Sequence, residues 1–206
     1  MLPTIQPMLA VSAQPFDGAA YGFEIKWDGV RTLAAVDESG WRLWGRHGAD
    51  YTSRYPELDV LTRLPSGTLV DGELVALRGG LPHLAGLLQR HFLTAPWKIA
   101  QARQWCPVHY VVFDLLYHAG QCFVSAPLAR RREVLAEVCV GAAVPGLLFS
   151  AGVVGSGKAF YEAVVAAGHE GILAKALDAP YRPGRRSPTW RKIKPPSARA
   201  PHRPPL

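Results

Sequence analysis

The sequence has no run of about 18 apolar residues, so no segment reads as a membrane-spanning helix. Its opening, Met1-Leu2-Pro3-Thr4-Ile5-Gln6-Pro7, lacks the basic-then-apolar order of an export signal, and a cytoplasmic protein without a membrane partner is expected. Cysteine is scarce. Cys106, Cys122 and Cys139 are an odd number without CxxC spacing, which argues against a disulfide framework or a zinc knuckle and for reduced thiols used in packing. Negative charge is also short: 16 Asp and Glu stand against 23 Lys and Arg, a net charge of +7, part of it near the C-terminus. Arg outnumbers Lys, which suits bidentate contact with phosphates, so a polyanionic partner is favoured. What the chain does have is apolar mass. Its 206 residues are 49% hydrophobic, enough for one large domain or two small ones with a real core.

The most ordered stretch is Phe23-Glu24-Ile25-Lys26-Trp27-Asp28-Gly29-Val30-Arg31. On an extended backbone Glu24, Lys26 and Asp28 share one face, and Phe23, Ile25 and Trp27 the other. Asp28-Gly29 reads as a turn into a second strand over 30–36, giving a hairpin with a lysine at its bend. A lysine beside two carboxylates is either part of a solvated strand face or a nucleophilic amine. The second role requires loss of a proton whose ordinary pKa is about 10.4, and carboxylates alone work against that. Nearby cations, a metal or a desolvated pocket must come from elsewhere in the chain.

The rest of the chain supplies candidates. An irregular lead-in covers 7–17, residues 37–40 form a turn, and a strand over 41–46 places Arg46 at its end beside a glycine-flanked loop. Residues 55–64 read as a short helix, with Leu58, Leu61 and Leu64 at helical spacing. The apolar strand 68–77 carries Asp71-Gly72-Glu73; carboxylates buried without partners are costly, so they read as pocket residues, with an exposed β-bulge as the alternative. Residues 81–92 read as a packing helix. The strand 107–116, apolar on both faces, ends at Phe113-Asp114, where Phe113 is either core or a stacking platform. A helix over 126–139 carries Arg130, Arg131 and Arg132, which read as a solvated face.

Residues 152–158, ending in Gly157-Lys158, match GxxxxGK, but Ala159 stands where a P-loop needs Ser or Thr and the repeated βαβ pattern is missing. They read as a glycine-rich turn opening a helix over 158–168, with Phe160, Ala163, Val164 and Ala167 as its core stripe. Glu170-Gly171 precedes an apolar strand bearing Lys175, and Glu170 is either a turn residue or a magnesium-binding carboxylate. An Arg-rich loop over 178–189 suits phosphates. The strand 190–194 turns Trp190, Lys192 and Lys194 to one face, and residues 195–206 are too rich in proline to pack.

Taken in order, Glu24 to Arg31, Arg46, Asp71-Gly72-Glu73, Phe113-Asp114-Leu115-Leu116, Glu170 to Lys175 and Trp190-Arg191-Lys192-Ile193-Lys194 resemble the blocks of ATP-dependent DNA ligases, especially the ligase modules of bacterial end-joining systems. The resemblance covers about residues 5–195. It implies an α/β (α+β) fold of two largely antiparallel sheets flanked by helices, an ATP-grasp-like nucleotidyltransferase fold with the nucleotide between the sheets. It implies ATP and Mg2+ as cofactors, with residues 1–194 as the adenylation domain and 195–206 as a disordered tail.

By the same resemblance, Lys26 attacks the α-phosphate of ATP. Arg31 and Glu73 hold the ribose, Glu24 lies near the adenine amino group, Phe113 stacks on the base and Arg46 binds phosphate. Glu170, with Glu73, holds magnesium, and Lys192 and Lys194 pull on the triphosphate. The implied partner is nicked or broken double-stranded DNA. The family's usual OB-fold does not follow Lys194, so an OB-fold protein or another end-joining protein acting in trans is expected. The alternative is a non-catalytic module that binds ATP or DNA ends and assists a complete ligase.

Overall fold

The computed structural model describes residues 2–196, so the expected tail lies, from residue 197 on, outside the described residues. In chain order the strands are β1 (Leu9–Ser12), β2 (Gly18–Ile25), β3 (Val30–Asp37), β4 (Gly40–Gly45), β5 (Thr68–Arg78), β6 (Leu81–Pro82), β7 (Val108–His118), β8 (Gln121–Cys122), β9 (Leu147–Phe149), β10 (Gly152–Gly155), β11 (Ile172–Ala176) and β12 (Arg186–Ile193). The α-helices are α1 (Leu84–His91), α2 (Pro96–Trp105), α3 (Leu128–Ala142) and α4 (Gly157–Ala166), with 3-10 turns at Thr52–Arg54 and Pro56–Arg63. No described helix is long and apolar enough to cross a membrane.

Two sheets result. One runs β1-β12-β11-β2-β10; the other runs β4-β3-β5-β7-β8, with β6 on β5 and β9 on β7. Only β1–β12 and β7–β9 pair in parallel. The apolar residues sort into three layers. Phe23, Ile172 and Ile193 pack under Val164 of α4, outside the five-stranded sheet. Leu58, Leu61, Leu87 and Leu135 cover the outer face of the other sheet. Leu33, Trp44, Phe113, Tyr181 and Trp190 fill the space between the sheets. The alternation along β2, β3 and β12 is therefore what builds a groove, because one face of each strand must look across it.

The structure corrects several expectations. β2 and β3 are not a hairpin: β2 pairs with β10 and β11, whereas β3 pairs with β4 and β5. Both segments are strands as their alternation predicts, but the partners are distant in sequence, and Asp28-Gly29 carries the chain from one sheet to the other. Gly29 is required by close approach, since a Cβ there would overlap the carbonyl oxygen of Leu74. The lead-in contains β1, held by parallel pairing to β12. The 55–64 helix is 3-10, the 81–92 helix starts only at Leu84 after β6, and β12 begins inside the expected Arg-rich loop. In α4 Val164 is buried, but Ala163 and Ala167 are exposed, because the helix touches the sheet along a narrow line. α2 has no counterpart in the sequence reading; only Ile99 and Ala102 are buried in it, too few to make a periodic stripe.

Candidate active site

Lys26 leaves β2 at the seam between the sheets. Its backbone N–H donates to the Gly171 carbonyl at 2.9 Å, which sets the start of β11 beside it. Gly171 has φ +140°, and a Cβ there would overlap the Ile193 carbonyl, so the turn before β11 lies flat on β12. The consequence is a three-residue ion cluster. Glu170 gives one carboxylate oxygen to the Lys26 amine and the other to the Lys194 amine. Cross-strand register then aligns Glu24, Leu173 and Lys192 in one row facing the groove.

The seven-stranded sheet supplies the facing wall. Arg31 and Glu73 are direct partners across β3 and β5, Phe113 comes from β7, and Arg46 follows the end of β4. A cavity of about 190 Å³ between the sheets is lined by Lys26, Arg31, Arg46, Glu73, Phe113 and Lys192, together with Trp27 and Arg186. Six residues singled out from the sequence thus share one pocket. Trp27 is held by its indole N–H donating to Ser150 Oγ at 3.2 Å.

Glu24 does not line that cavity. It is 2% exposed, and its oxygens accept from Arg132 Nη1 at 2.5 Å and Lys175 Nζ at 3.0 Å. Arg132 also reaches the carbonyls of Ser150 (2.8 Å) and Phe113 (3.4 Å), tying both sheets together behind the pocket. Lys175 lies 4.3 Å from the Phe113 ring centre and 4.5 Å from that of Trp190. The expected solvated arginine run is thus corrected: Arg131 is fully buried on Asp114 and Arg132 holds Glu24, while Arg130 stays outside with Glu133.

Asp71 and Glu73 also divide. The β5–β7 register shifts between Asp71 and Gly72, so a bulge is present, yet Asp71 is buried rather than exposed. It takes two hydrogen bonds from Arg31, at 2.6 and 2.5 Å, and one from the Tyr181 hydroxyl at 2.6 Å. Arg31 is thereby fixed, 4.6 Å from the Phe113 ring centre. Burial works against its charge, but Asp71 overrides that and holds it above its ordinary range.

Burial lowers the Lys26 amine below its ordinary range; Glu73 and Asp28 pull it back up, and Arg31 adds to the lowering. Lys194 is lowered by burial and then by Lys26 itself. Glu73 is pushed up to about 7, by burial first, against the pull of Arg31 and Lys26. The desolvation and cations that a nucleophilic lysine requires are therefore present around Lys26. Among the described residues no three of His, Cys, Asp and Glu form a metal-binding group. Glu170 and Glu73 are single carboxylates, which fits a magnesium ion only where phosphate oxygens and water complete its shell.

The GxxxxGK segment is β10 running into α4. Lys158 is exposed, and its backbone N–H is taken by Asp17 at 2.9 Å, so no row of free N–H groups faces a phosphate there.

Two sheets closing on a groove with a lysine at the seam define the nucleotidyltransferase fold of DNA ligases. The crystal structure of the ligase domain from M. tuberculosis LigD matches with TM-score 0.77 at 30% identity, over 92% of this chain and 59% of that one. A mycobacterial DNA ligase D complexed with ATP and MES matches with TM-score 0.73 at 29% identity, over 92% of this chain and 60% of that one. The model of the ATP dependent DNA ligase domain matches residues 7–194, and the chain belongs to that family. A probable DNA ligase of Anaeromyxobacter sp. (strain Fw109-5) is 38% identical over 94% of this chain, which spans 38% of that protein's length. The SPbeta prophage-derived DNA ligase-like protein LigB of Bacillus subtilis is 31% identical over 92% of this chain and 67% of its own length.

Proposed function

We propose that this domain adenylates itself on Lys26 and passes the AMP to DNA. The carrying observation is that Lys26, desolvated at the seam, shares one cavity with Arg31, Arg46, Glu73 and Lys192 drawn from both sheets. The deprotonated Lys26 Nζ attacks the α-phosphorus of ATP. An N–P bond forms as the P–O bond to pyrophosphate breaks, and the amine's proton leaves to water. The AMP then moves to a 5′-phosphate at a nick, restoring the lysine, and the 3′-hydroxyl displaces AMP to seal the strand.

Each step is an in-line attack on phosphorus, so placement and charge carry the rate. Arg46, Lys192 and Lys194 are the cations for the triphosphate. Glu73 faces the ribose with Arg31, and Phe113 offers the aromatic wall for a purine. Glu24, held by Arg132 and Lys175, fixes the floor beneath the base. Magnesium, when bound, would be held by Glu170, with Glu73 as the second carboxylate, and would neutralise phosphate charge. With Glu170 holding the ion, the Lys26 amine would lose one of its carboxylate partners. Double-stranded DNA with a nick or break is the substrate in this reading, with an OB-fold supplied in trans.

The test is intact mass after incubation with ATP and magnesium, then with pyrophosphate. A gain of one AMP that pyrophosphate removes is expected, absent in Lys26→Ala and unchanged in Lys158→Ala. An adduct that survives Lys26→Ala, or equal loss in both variants, overturns the assignment. ATP binding without any adduct turns the reading to a non-catalytic module.

A further inference from the structure

Between Glu73 and Asp114 the sequence contains neither Asp nor Glu, while Arg78, Arg90, Lys98 and Arg103 fall in that stretch. Up to Pro107 it builds the end of β5, β6, α1 and α2, a corner that the proposed adenylation chemistry does not use. α2 is anchored through Ile99 and Ala102 alone, and its remaining side chains look outward. Among them Trp97 is 62% and Trp105 54% exposed, with Phe92 72% exposed just before the helix. Large aromatics left in water at this density are unusual. Trp97, Gln101 and Trp105 recur at i, i+4 and i+8, so they lie along one side of α2, the two indoles about 12 Å apart along the axis.

The corner is concave as well. Arg78, His83, Gln89 and Trp105 border one depression of about 410 Å³. The nearby acid, Glu57, is spoken for: Arg90 holds it at 2.5 Å and Arg103 approaches to 3.8 Å. What remains facing outward is cationic, amide-bearing and aromatic. The apolar groups are separated by Lys98, Gln101, Arg103 and Gln104 rather than joined in one patch, which disfavours a protein partner. A duplex hides its base faces in its own stack and offers only phosphates to such a surface. A single strand offers both phosphates and base faces.

We infer that the α1–α2 corner binds single-stranded DNA, with Trp105 and Trp97 as stacking platforms and Arg78 and Lys98 as phosphate contacts. The proposed ligase reading decides the choice of DNA over RNA; the site itself stands on its own residues. Such a corner would hold an unpaired overhang or flap beside a break.

The test is fluorescence anisotropy with a labelled single-stranded oligodeoxythymidine and a labelled blunt duplex, over a series of salt concentrations. Wild type is compared with Trp97→Ala/Trp105→Ala, Trp105→Phe and Arg78→Gln, each also assayed for the Lys26 adduct. The double alanine variant should bind the oligonucleotide about tenfold or more weakly. Trp105→Phe should keep most of the affinity, and Arg78→Gln should flatten the salt slope by about 0.7. Duplex binding and the adduct should not change. Equal oligonucleotide affinity in wild type and the double variant overturns the inference, and so does wild type that binds single strand no better than duplex. A double variant that instead loses self-association in sedimentation makes the corner a protein contact and overturns it too. If the oligonucleotide pattern holds but wild type forms no adduct, the corner stands and the ligase reading falls; the reverse result separates them the other way.

Discussion

Arg131 donates hydrogen bonds of 2.6 and 2.9 Å to the two oxygens of Asp114, with neither side chain exposed, whereas Glu170 divides its two oxygens between Lys26 and Lys194 at the mouth of the groove. Lys26, Glu170 and Lys194 keep 21%, 27% and 41% of their side chains in contact with solvent. Among the described residues the sealed pair has no other charged partner within salt-bridge distance. Arg131 also donates from Nη1 to the Ala126 and Ala179 carbonyls, fastening α3 to the loop before β12. The open cluster lies where it can exchange partners, and in the proposed adenylation the oxygens of a triphosphate would replace Glu170 on its two ammonium groups. Charges that build the groove lie behind it, and the charges proposed to act lie at its edge.

The largest effect should come from breaking the sealed pair. Asp114→Ala leaves a buried guanidinium without its anion, a loss of about 3–5 kcal/mol in unfolding free energy. Denaturant unfolding measures it. A loss of under about 1 kcal/mol would mean that water reaches Arg131 and that the two kinds of pair do not differ.

Much of this arrangement could be read from the sequence, and the exceptions share a cause. Strand alternation marks the faces of β2, β3 and β12, and the ordered blocks single out Lys26, Glu73 and Lys192, which share the cavity. Pairing partners could not be read, because Gly29 makes a crossover or a hairpin turn equally well until Leu74 is known to lie against it. Arg131 and Arg132 read as surface from their sequence alone because a basic run usually is. Their spacing from Leu128 and Leu135, three or four residues either way, put them on the inner face of α3 and was a usable signal. Lys175 and Tyr181 gave none, since their partners Glu24 and Asp71 lie more than a hundred residues away.

Glu73 stands between the two classes and sharpens the contrast through pH. Its folded-state pKa, about 7, lies above the ordinary 4.5, so the native state binds the proton more tightly than the unfolded chain. The stability it contributes is full below about 4.5 and is lost as pH rises through about 7. Glu73→Gln removes that titration. The variant should match wild type below about 4.5, gain on it as pH rises from there to about 7 and keep a constant lead above that, which unfolding curves across that window would show. Parallel curves would place the carboxylate in water with the open cluster.

The smallest effect on stability should come from Glu170→Gln. Glutamine keeps the shape but not the charge, and partly exposed pairs of this kind contribute about 0–1 kcal/mol. Unfolding should therefore shift by less than the Asp114→Ala change, while adenylation of Lys26 measured by mass should fall steeply. The reason is the exchange itself. A neutral side chain would not pair with the Lys26 and Lys194 amines, nor would it supply the carboxylate proposed to hold magnesium. If Glu170→Gln unfolds as easily as Asp114→Ala, the mouth of the groove is structural and the comparison fails. If it is stable and still forms the adduct at the wild-type rate, Glu170 is a bystander, and the charges that act must be sought among Lys192, Arg46 and Glu73.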